Sequence, residues 1–492
     1  MSFSGVFKII TNTSLYTLST FLLRASSIIF FPIFSLYLTE SDYGILSITQ
    51  SIALIVGVMA GLGINRSITR FIYYESEKTN DSHSSIIFTS LFSSFGVQAI
   101  FVIFIVLFNR FIPNSLLNEI AFFPYVFVAI LAVPFNSIIE VAKTYFKSIH
   151  EGKKVFYIDI SFFSLNILFN LFFVVVLGFD VLGIFYGILI NTLIFSCILY
   201  FTFYRKLTIE FSPQLLRKIL RYCMPLVPYA ILNIVFEACD KFYLNSQFGT
   251  SYSGLYYIVV IFASIFSSFK ESIITALTPY FYENIEGNVN AIKRIINWTF
   301  LISGFIAMGL SFFSFEILTI LSSNPTFVDA HIYIPFTIVS FYLILFGNLF
   351  NIKTYYFGKY TDYLFIATLI GLAVEITACY LLIPKYNILG ATLSRLIAFG
   401  AHVLVLFYLS YKETQKREIY DYRFLIICCI VMSSIICLPF FIELKFSFII
   451  NMIIKLSFII SLAAIVYIFK REDINVFISS FTKSIITRKN KV

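Results

Sequence analysis

Long apolar segments, separated by short polar ones, run along almost the whole chain. Each contains about 20 residues or more, the length that a helix needs to cross the roughly 30 Å hydrocarbon core of a bilayer. Turn-forming residues occupy narrow gaps at 39–42, 178–180 and 384–387. The pattern predicts fourteen transmembrane helices, near residues 13–38, 43–64, 84–108, 120–142, 156–177, 182–204, 222–245, 254–281, 295–321, 332–352, 362–383, 389–411, 424–442 and 448–470.

Composition agrees with this pattern. Of the 492 residues 59% are hydrophobic and 12% charged, whereas soluble domains carry about 25% charged residues. A water-soluble enzyme is therefore excluded, and the 61 Phe and 32 Tyr exclude a disordered chain. A membrane β-barrel would show alternating segments of about ten residues. The expected fold class is an all-α polytopic membrane protein.

The distribution of basic residues predicts the orientation. The net charge is +9, but the Lys and Arg residues lie scattered in short loops, so no basic face for nucleic acid is expected. With the N-terminus inside, 27 of the 35 Lys and Arg lie on the cytoplasmic side, against three (Arg110, Lys385 and Lys445) on the other. The positive-inside rule then places both termini in the cytoplasm.

The loops and the metal-binding residue types argue against an enzyme. The outer loops are short, which leaves no room for the external catalytic domain expected of a polysaccharide polymerase or ligase. The seven Cys lie in or beside apolar segments without a C-x-x-C pair, and the four His form no H-x-x-x-H. We therefore expect no enzymatic activity, no metal and no cofactor.

Weak internal similarity indicates a duplication. Segment 38–44 (LTESDYG) resembles 248–254 (FGTSYSG) at an offset of 210 residues, and two further pairs have offsets of 206 and 207. Each repeat would span six helices, so the copies keep the same orientation and are related by an axis along the membrane normal. We therefore predict an N-terminal lobe at 1–204, a basic cytoplasmic linker at 205–221, a C-terminal lobe at 222–411, and two appended helices with a tail at 412–492.

Charged residues inside the predicted spans are the candidates for transport, because charge in a bilayer usually faces a bundle interior or a wet cavity. Arg24, in predicted helix 1, is a candidate anion ligand. Lys270 is similarly deep in predicted helix 8. Glu271 follows it directly, and because adjacent helical residues point about 100° apart, the two are expected to face different surroundings.

Two further groups lie in the second lobe. In predicted helix 7, Glu237 and Lys241 are spaced for an i, i+4 ion pair, with Asp240 between them. The alternative to this ion pair is that Lys241 contacts the substrate. Arg395 is a candidate for lining the cavity, and Glu375 could pair with it across the bundle. The candidates are therefore Arg24, Lys270, Arg395 and Lys241 for substrate, and Glu237, Asp240, Glu271 and Glu375 for gating or ion coupling.

Several short segments resemble a known transporter family. These segments are 12–16 (NTSLY), 37–44 (YLTESDYG), 61–66 (GLGINR) with Arg70 and Phe71, 225–228 (PLVP), and Asp240 with Lys241. They are similar to polysaccharide flippases of the O-antigen (Wzx) type, in the multidrug/oligosaccharidyl-lipid/polysaccharide exporter superfamily.

The resemblance implies two six-helix bundles enclosing a central cavity. It also implies the transfer of an undecaprenyl-diphosphate-linked oligosaccharide across the bacterial inner membrane to its periplasmic leaflet, with Arg24 suited to bind the diphosphate through its planar fork. Its implied partners are that lipid-linked substrate, membrane lipids and other polysaccharide-assembly proteins. The alternatives are a lipid II flippase and a multidrug antiporter of the same superfamily. The antiporter is disfavoured because predicted helix 1 carries Arg24 and no acid.

Overall fold

The chain folds into a helical membrane protein. The computed structural model describes residues 28–75, 83–113, 117–284, 289–357, 361–413, 420–442 and 448–469, and within these ranges no residue forms a β-strand. Ten helical segments in the described ranges are long and apolar enough to cross a membrane. Two of them, 213–275 and 362–409, contain a backbone break that divides them further. The expected all-α membrane fold with two repeated bundles is confirmed.

The N-terminal lobe contains six helices. They are α1 (28–34 of the described chain), α2 (Glu40–Gly61), α3 (His83–Leu107), α4 (Phe127–Ser148), α5 (Gly152–Leu171) and α6 (Asp180–Thr202). The predicted turn at 39–42 is a capping box, because Thr39 and Asp42 each accept a hydrogen bond from the other's backbone N–H. Within the lobe, α4 packs against both α3 and α6.

An amphipathic helix, Pro213–Cys223, connects the lobes. Leu215, Ile219 and Cys223 are buried, at i, i+4 and i+8, while Arg217, Lys218 and Arg221 are exposed. The buried face packs on Ile64–Arg70 and on α3. The expected basic linker is therefore a helix docked on the N-terminal lobe.

The C-terminal lobe is built from helices joined by sharp bends. The helical run Val227–Asn284 is broken at Gly249, which separates α7 (227–248) from α8 (250–284). After α9 (Val289–Phe312) and α10 (Ile334–Phe357), the run Thr361–Glu413 is broken at Asn387, which separates α11 (361–386) from α12 (388–413). Gly249 and Asn387 have φ of 82° and 50°, a left-handed region that Gly and Asn tolerate best.

Two further helices follow the second lobe. They are α13 (Tyr422–Ile436) and α14 (Phe448–Phe469). The first packs on α9 and α10. The second is tied by a buried ion pair, because Lys455 Nζ lies 2.6 Å from Glu316 Oε1, on the short helix Ser314–Leu321 that follows α9.

Candidate functional site

A buried ion pair joins three helices of the C-terminal lobe. Arg395 of α12 donates to Asp240 of α7 from Nε to Oδ2 (2.8 Å) and from Nη2 to Oδ1 (3.1 Å). Its Nη2 also donates to the Glu237 carbonyl at 3.0 Å. The hydroxyl of Tyr256, on α8, donates to Asp240 Oδ2. Asp240 is 0% exposed and Arg395 2% exposed, so this charged group lies inside the lobe.

Glu375 lies beside this ion pair but does not share it. It is 0% exposed, and among the described residues neither of its carboxylate oxygens has a hydrogen-bond partner. Its charged and polar neighbours are Asp240, Arg395 and the thiols of Cys239 and Cys379. The expected Glu375–Arg395 pair is therefore wrong, because the guanidinium directs its bonds to Asp240 and to the Glu237 carbonyl instead. Two carboxyl groups face one guanidinium.

Glu237 and Lys241 lie on α7 on either side of Asp240. No salt bridge joins the two side chains among the described residues, which contradicts the expected i, i+4 pair. Instead, Lys241 Nζ lies 5.8 Å from the ring centre of Tyr257 on α8, and the Tyr257 hydroxyl donates to Gln50 of α2. Glu237 is exposed. Lys241 thus lies close to the boundary between the lobes.

Lys270 and Glu271 bind each other. The distance from Lys270 Nζ to Glu271 Oε1 is 3.2 Å, and Lys270 is 5% exposed. The expectation that they face different surroundings is wrong, because both side chains are long enough to meet across the 100° between their Cα–Cβ directions. Lys270 also lies 5.9 Å from the Phe341 ring of α10, within its own lobe. Arg24, the remaining candidate, lies outside the described residues.

The lobes touch closely where α2 and α8 begin. A Cβ added to Gly44 would overlap the carbonyl oxygen of Thr250, and one added to Gly254 would overlap that of Glu40. The contact is reciprocal, because Gly44 and Gly254 occupy equivalent positions of the predicted repeat, as do Glu40 and Thr250. We call this end of the molecule the closed end. Small residues allow helix backbones to approach in this way within a membrane.

Short polar side chains complete the contact at the closed end. The Ser41 and Thr250 hydroxyls are 2.7 Å apart, and Glu119 accepts the hydroxyl and the backbone N–H of Thr250. These bonds hold the pKa of Glu119 below its ordinary value. Glu40 accepts from Asn324 at 3.2 Å. Every one of these bonds joins the first lobe to the second.

The sequence predicts which charged residues lie inside the helices, but neither the Asp240–Arg395 pair nor the close contact of the lobes at the closed end. The Asp240–Arg395 pair joins positions 155 residues apart, and opposite charges inside predicted helices 7 and 12 were its available signal. The 38–44 and 248–254 similarity was the signal for the closed end, because an axis between parallel repeats brings equivalent positions face to face. Tyr256, Glu119 and Thr250 carried no separate signal.

The comparisons with known proteins identify the family. A sequence model described as "Polysaccharide biosynthesis protein" matches residues 9–285, which is more than half of the chain. The chain belongs to this family. The match covers the first lobe, the linker helix, α7 and α8, and therefore includes Asp240 and both sides of the closed end. Among curated proteins, no sequence matches the chain significantly.

Solved transporter structures share the fold of this family member. One is the lipid II flippase MurJ in an inward closed conformation, at 15% identity and a TM-score of 0.65, covering 90% of this chain and 98% of that one. Another is a multidrug resistance MATE family transporter of the MOP superfamily in an inward-facing conformation, at 17% identity, a TM-score of 0.57, and coverage of 82% and 96%. A MOP superfamily transporter from Pyrococcus furiosus has 16% identity, a TM-score of 0.58, and coverage of 82% and 95%. Family and fold agree with the resemblance to polysaccharide flippases.

Proposed function

We propose that this protein is a flippase for an undecaprenyl-diphosphate-linked oligosaccharide, such as an O-antigen repeat unit, and that it works by alternating access. The observation that carries the proposal is the reciprocal contact of Gly44 and Gly254 at the closed end. Backbone atoms, polar side chains and the packed rings of Tyr43 and Phe327 make this contact. It is confined to one end of the helices, where two packed bodies can separate as units. Membership of a polysaccharide biosynthesis family supports the class of substrate.

The orientation of the protein is part of the proposal. The excess of Lys and Arg on one side favours cytoplasmic termini in a bacterial inner membrane, which places the closed end at the periplasmic face. The described conformation would then admit substrate from the cytoplasm. Lipid II flipping and drug export remain the competing functions, because the solved relatives of this fold include both kinds of transporter.

The candidate residues divide into two groups under this proposal. Arg24 is the proposed diphosphate ligand, and Lys241 is a second substrate contact because it lies near the lobe boundary. Glu375 is the proposed ion-coupling group and Glu237 the proposed gating group, whereas Asp240, bonded to Arg395, has a structural role in this proposal. Arg395 and Lys270 no longer fit a substrate role, because the structure buries both and pairs them with Asp240 and Glu271.

A reversible lock at the closed end tests this function. In a background without the seven native cysteines, Ser41→Cys with Thr250→Cys should form a disulfide, because the two hydroxyls are 2.7 Å apart. Oxidation should stop surface polysaccharide export, and the lipid-linked repeat unit should accumulate on the cytoplasmic leaflet. A membrane-impermeant reductant should restore export.

The controls separate the parts of the proposal. Each single cysteine variant should export normally under oxidation. Continued export by the locked double variant contradicts alternating access through this end, and failure of the impermeant reductant contradicts the orientation. Accumulation of lipid II, or a change only in drug resistance, would identify the corresponding alternative transporter.

A further inference from the structure

A large apolar cavity lies between the lobes, and Cys239 and Cys379 in its wall separate it from Glu375 and the buried ion pair. Its volume is about 1030 Å³, at the upper end of the range that small organic ligands occupy in proteins. Helices α2 and α3 supply one wall, including Val56 and Phe108, and α7 and α11 supply the other, including Ala238, Cys239 and Cys379. Both lobes therefore form the cavity, which lies in the half of the molecule next to the closed end.

The cavity has the depth of one leaflet. Along α7 its lining extends from Val235 to Ser246, which is about 16 Å at the helical rise of 1.5 Å per residue. The hydrocarbon core of a bilayer is about 30 Å thick, so one leaflet contributes about half of that. The exposed rings of Phe104, Phe108 and Phe111, at the end of α3, lie at its edge. A hydrocarbon chain from the leaflet at the closed end matches this depth and chemistry.

The polar groups around the cavity lie at its closed-end rim. Tyr243 and Ser246 are lining residues with hydroxyl groups, and they follow the apolar stretch of α7 toward that end. Arg110 lies between the lining residues Phe108 and Phe111 and is exposed. Lys385 is exposed at the end of α11, six residues beyond Cys379. Neither cation lines the cavity, but both follow lining residues in the chain and are among the three cations predicted on the outer side, where they could attract an anionic head group.

We propose that this cavity binds the polyprenyl chain of the translocated lipid on the product side, with its phosphates near Arg110 and Lys385. This inference rests on the proposed function. The position between the lobes favours the transported lipid over a resident phospholipid, because the two walls belong to bodies that move apart during transport. A structural lipid would be expected on one lobe alone.

The native thiols allow the site to be tested without substitution. Cys239 is half-buried in the cavity wall, and Cys197 is exposed on α6, outside the cavity lining. In nanodiscs of uncharged phospholipid, polyprenyl diphosphate should slow alkylation of Cys239 by a membrane-permeant maleimide. At ten times the Kd the unoccupied fraction falls about tenfold, and the alkylation rate should fall with it. Alkylation of Cys197 should not change.

Three variants distinguish binding of the polyprenyl chain from binding of its head group. Ala238→Phe fills the cavity and should abolish competition between polyprenyl diphosphate and the maleimide at Cys239 or Cys379. Arg110→Gln and Lys385→Gln leave the cavity intact, and each should weaken protection by about fivefold, the effect of one cation near an anionic lipid surface. If Ala238→Phe does not fold, protection of Cys239 in the native protein and in the two glutamine variants still tests the proposal.

Each outcome bears on the proposal. Protection by polyprenyl diphosphate but not by phosphatidylglycerol at the same concentration supports it. Equal protection by both lipids, or none by either, overturns it. Polysaccharide export by the Ser41→Cys, Thr250→Cys double variant, with and without oxidation, tests the flippase function separately. If the disulfide stops export but polyprenyl diphosphate does not protect Cys239, only the proposed lipid site is contradicted. If Cys239 is protected but the protein does not export polysaccharide, the proposed function is contradicted and a polyprenyl-binding site remains.

Discussion

At the scale of single residues, charges inside the C-terminal lobe have fixed partners. Arg395 makes two directed bonds to Asp240 and one to a backbone carbonyl, a fork geometry that Lys could not reproduce. Glu375 has no such partner in the described structure. Among the described residues, the Asp240 carboxyl group is thus neutralised by a directed ion pair, whereas the neighbouring Glu375 carboxyl group is not. That difference separates a structural role from a coupling role.

Breaking the buried pair should destabilise the protein. Arg395→Leu leaves Asp240 buried without its guanidinium, and loss of one partner of a buried pair costs about 3–5 kcal/mol. The double variant Asp240→Leu with Arg395→Leu should recover much of this loss. Thermal unfolding of the detergent-solubilised protein measures both effects. Glu237→Gln is the matched control, because Arg395 contacts only the backbone carbonyl of Glu237; an equal loss in that variant would contradict the assignment.

The proposed role of Arg24, which lies outside the described residues, can also be tested by single substitutions. If it binds the diphosphate, Arg24→Ala should abolish export while the protein still inserts at normal levels, since a charge-assisted bidentate contact is lost. Arg24→Lys should restore export only in part, because an ammonium keeps the charge but not the fork. Surface polysaccharide at matched expression measures the effect. Normal polysaccharide in the Ala variant would remove Arg24 from the site.

At the scale of helices, the turn chemistry of the sequence predicts where the long helical runs bend. The predicted turn at 384–387 contains Asn387, and the predicted turn at 178–180 contains Gly178, both with positive φ. Hydropathy and turn residues act locally, so both could be predicted. The Asp240–Arg395 pair and the cavity between α2, α3, α7 and α11 could not, because they depend on how helices distant in sequence are placed side by side.

The approach of α2 to α8 depends on Gly44. Gly44→Ala places a methyl group against the Thr250 carbonyl, and overpacking of this kind costs about 1–3 kcal/mol. The closed end should therefore open more often, and the yield of the disulfide between Ser41→Cys and Thr250→Cys should fall. Gly57→Ala is a control on the same helix, because its Cβ would meet only Val133 Cγ1 at 3.7 Å. Equal disulfide yields in the two backgrounds would contradict a close backbone contact.

At the scale of the whole molecule, duplication explains the form of the closed end. Segments 38–44 and 248–254 come from equivalent places in the two lobes, and in the folded protein they pack on each other. The sequence predicts the duplication and the direction of its axis. It does not predict how close the lobes come, because that distance depends on the tilt of every helix in both bundles.

The tight backbone contact at the closed end also has an electrical consequence. A carrier with space for a bulky sugar needs an insulating barrier on one side, or the membrane would conduct ions through it. Where a Cβ cannot fit beside Gly44 or Gly254, the two backbones leave no room for a water molecule between them, and a chain of waters is what carries protons through a pore. Under the proposed function, this pair of glycines would help to keep the closed end electrically insulating while the protein waits for substrate.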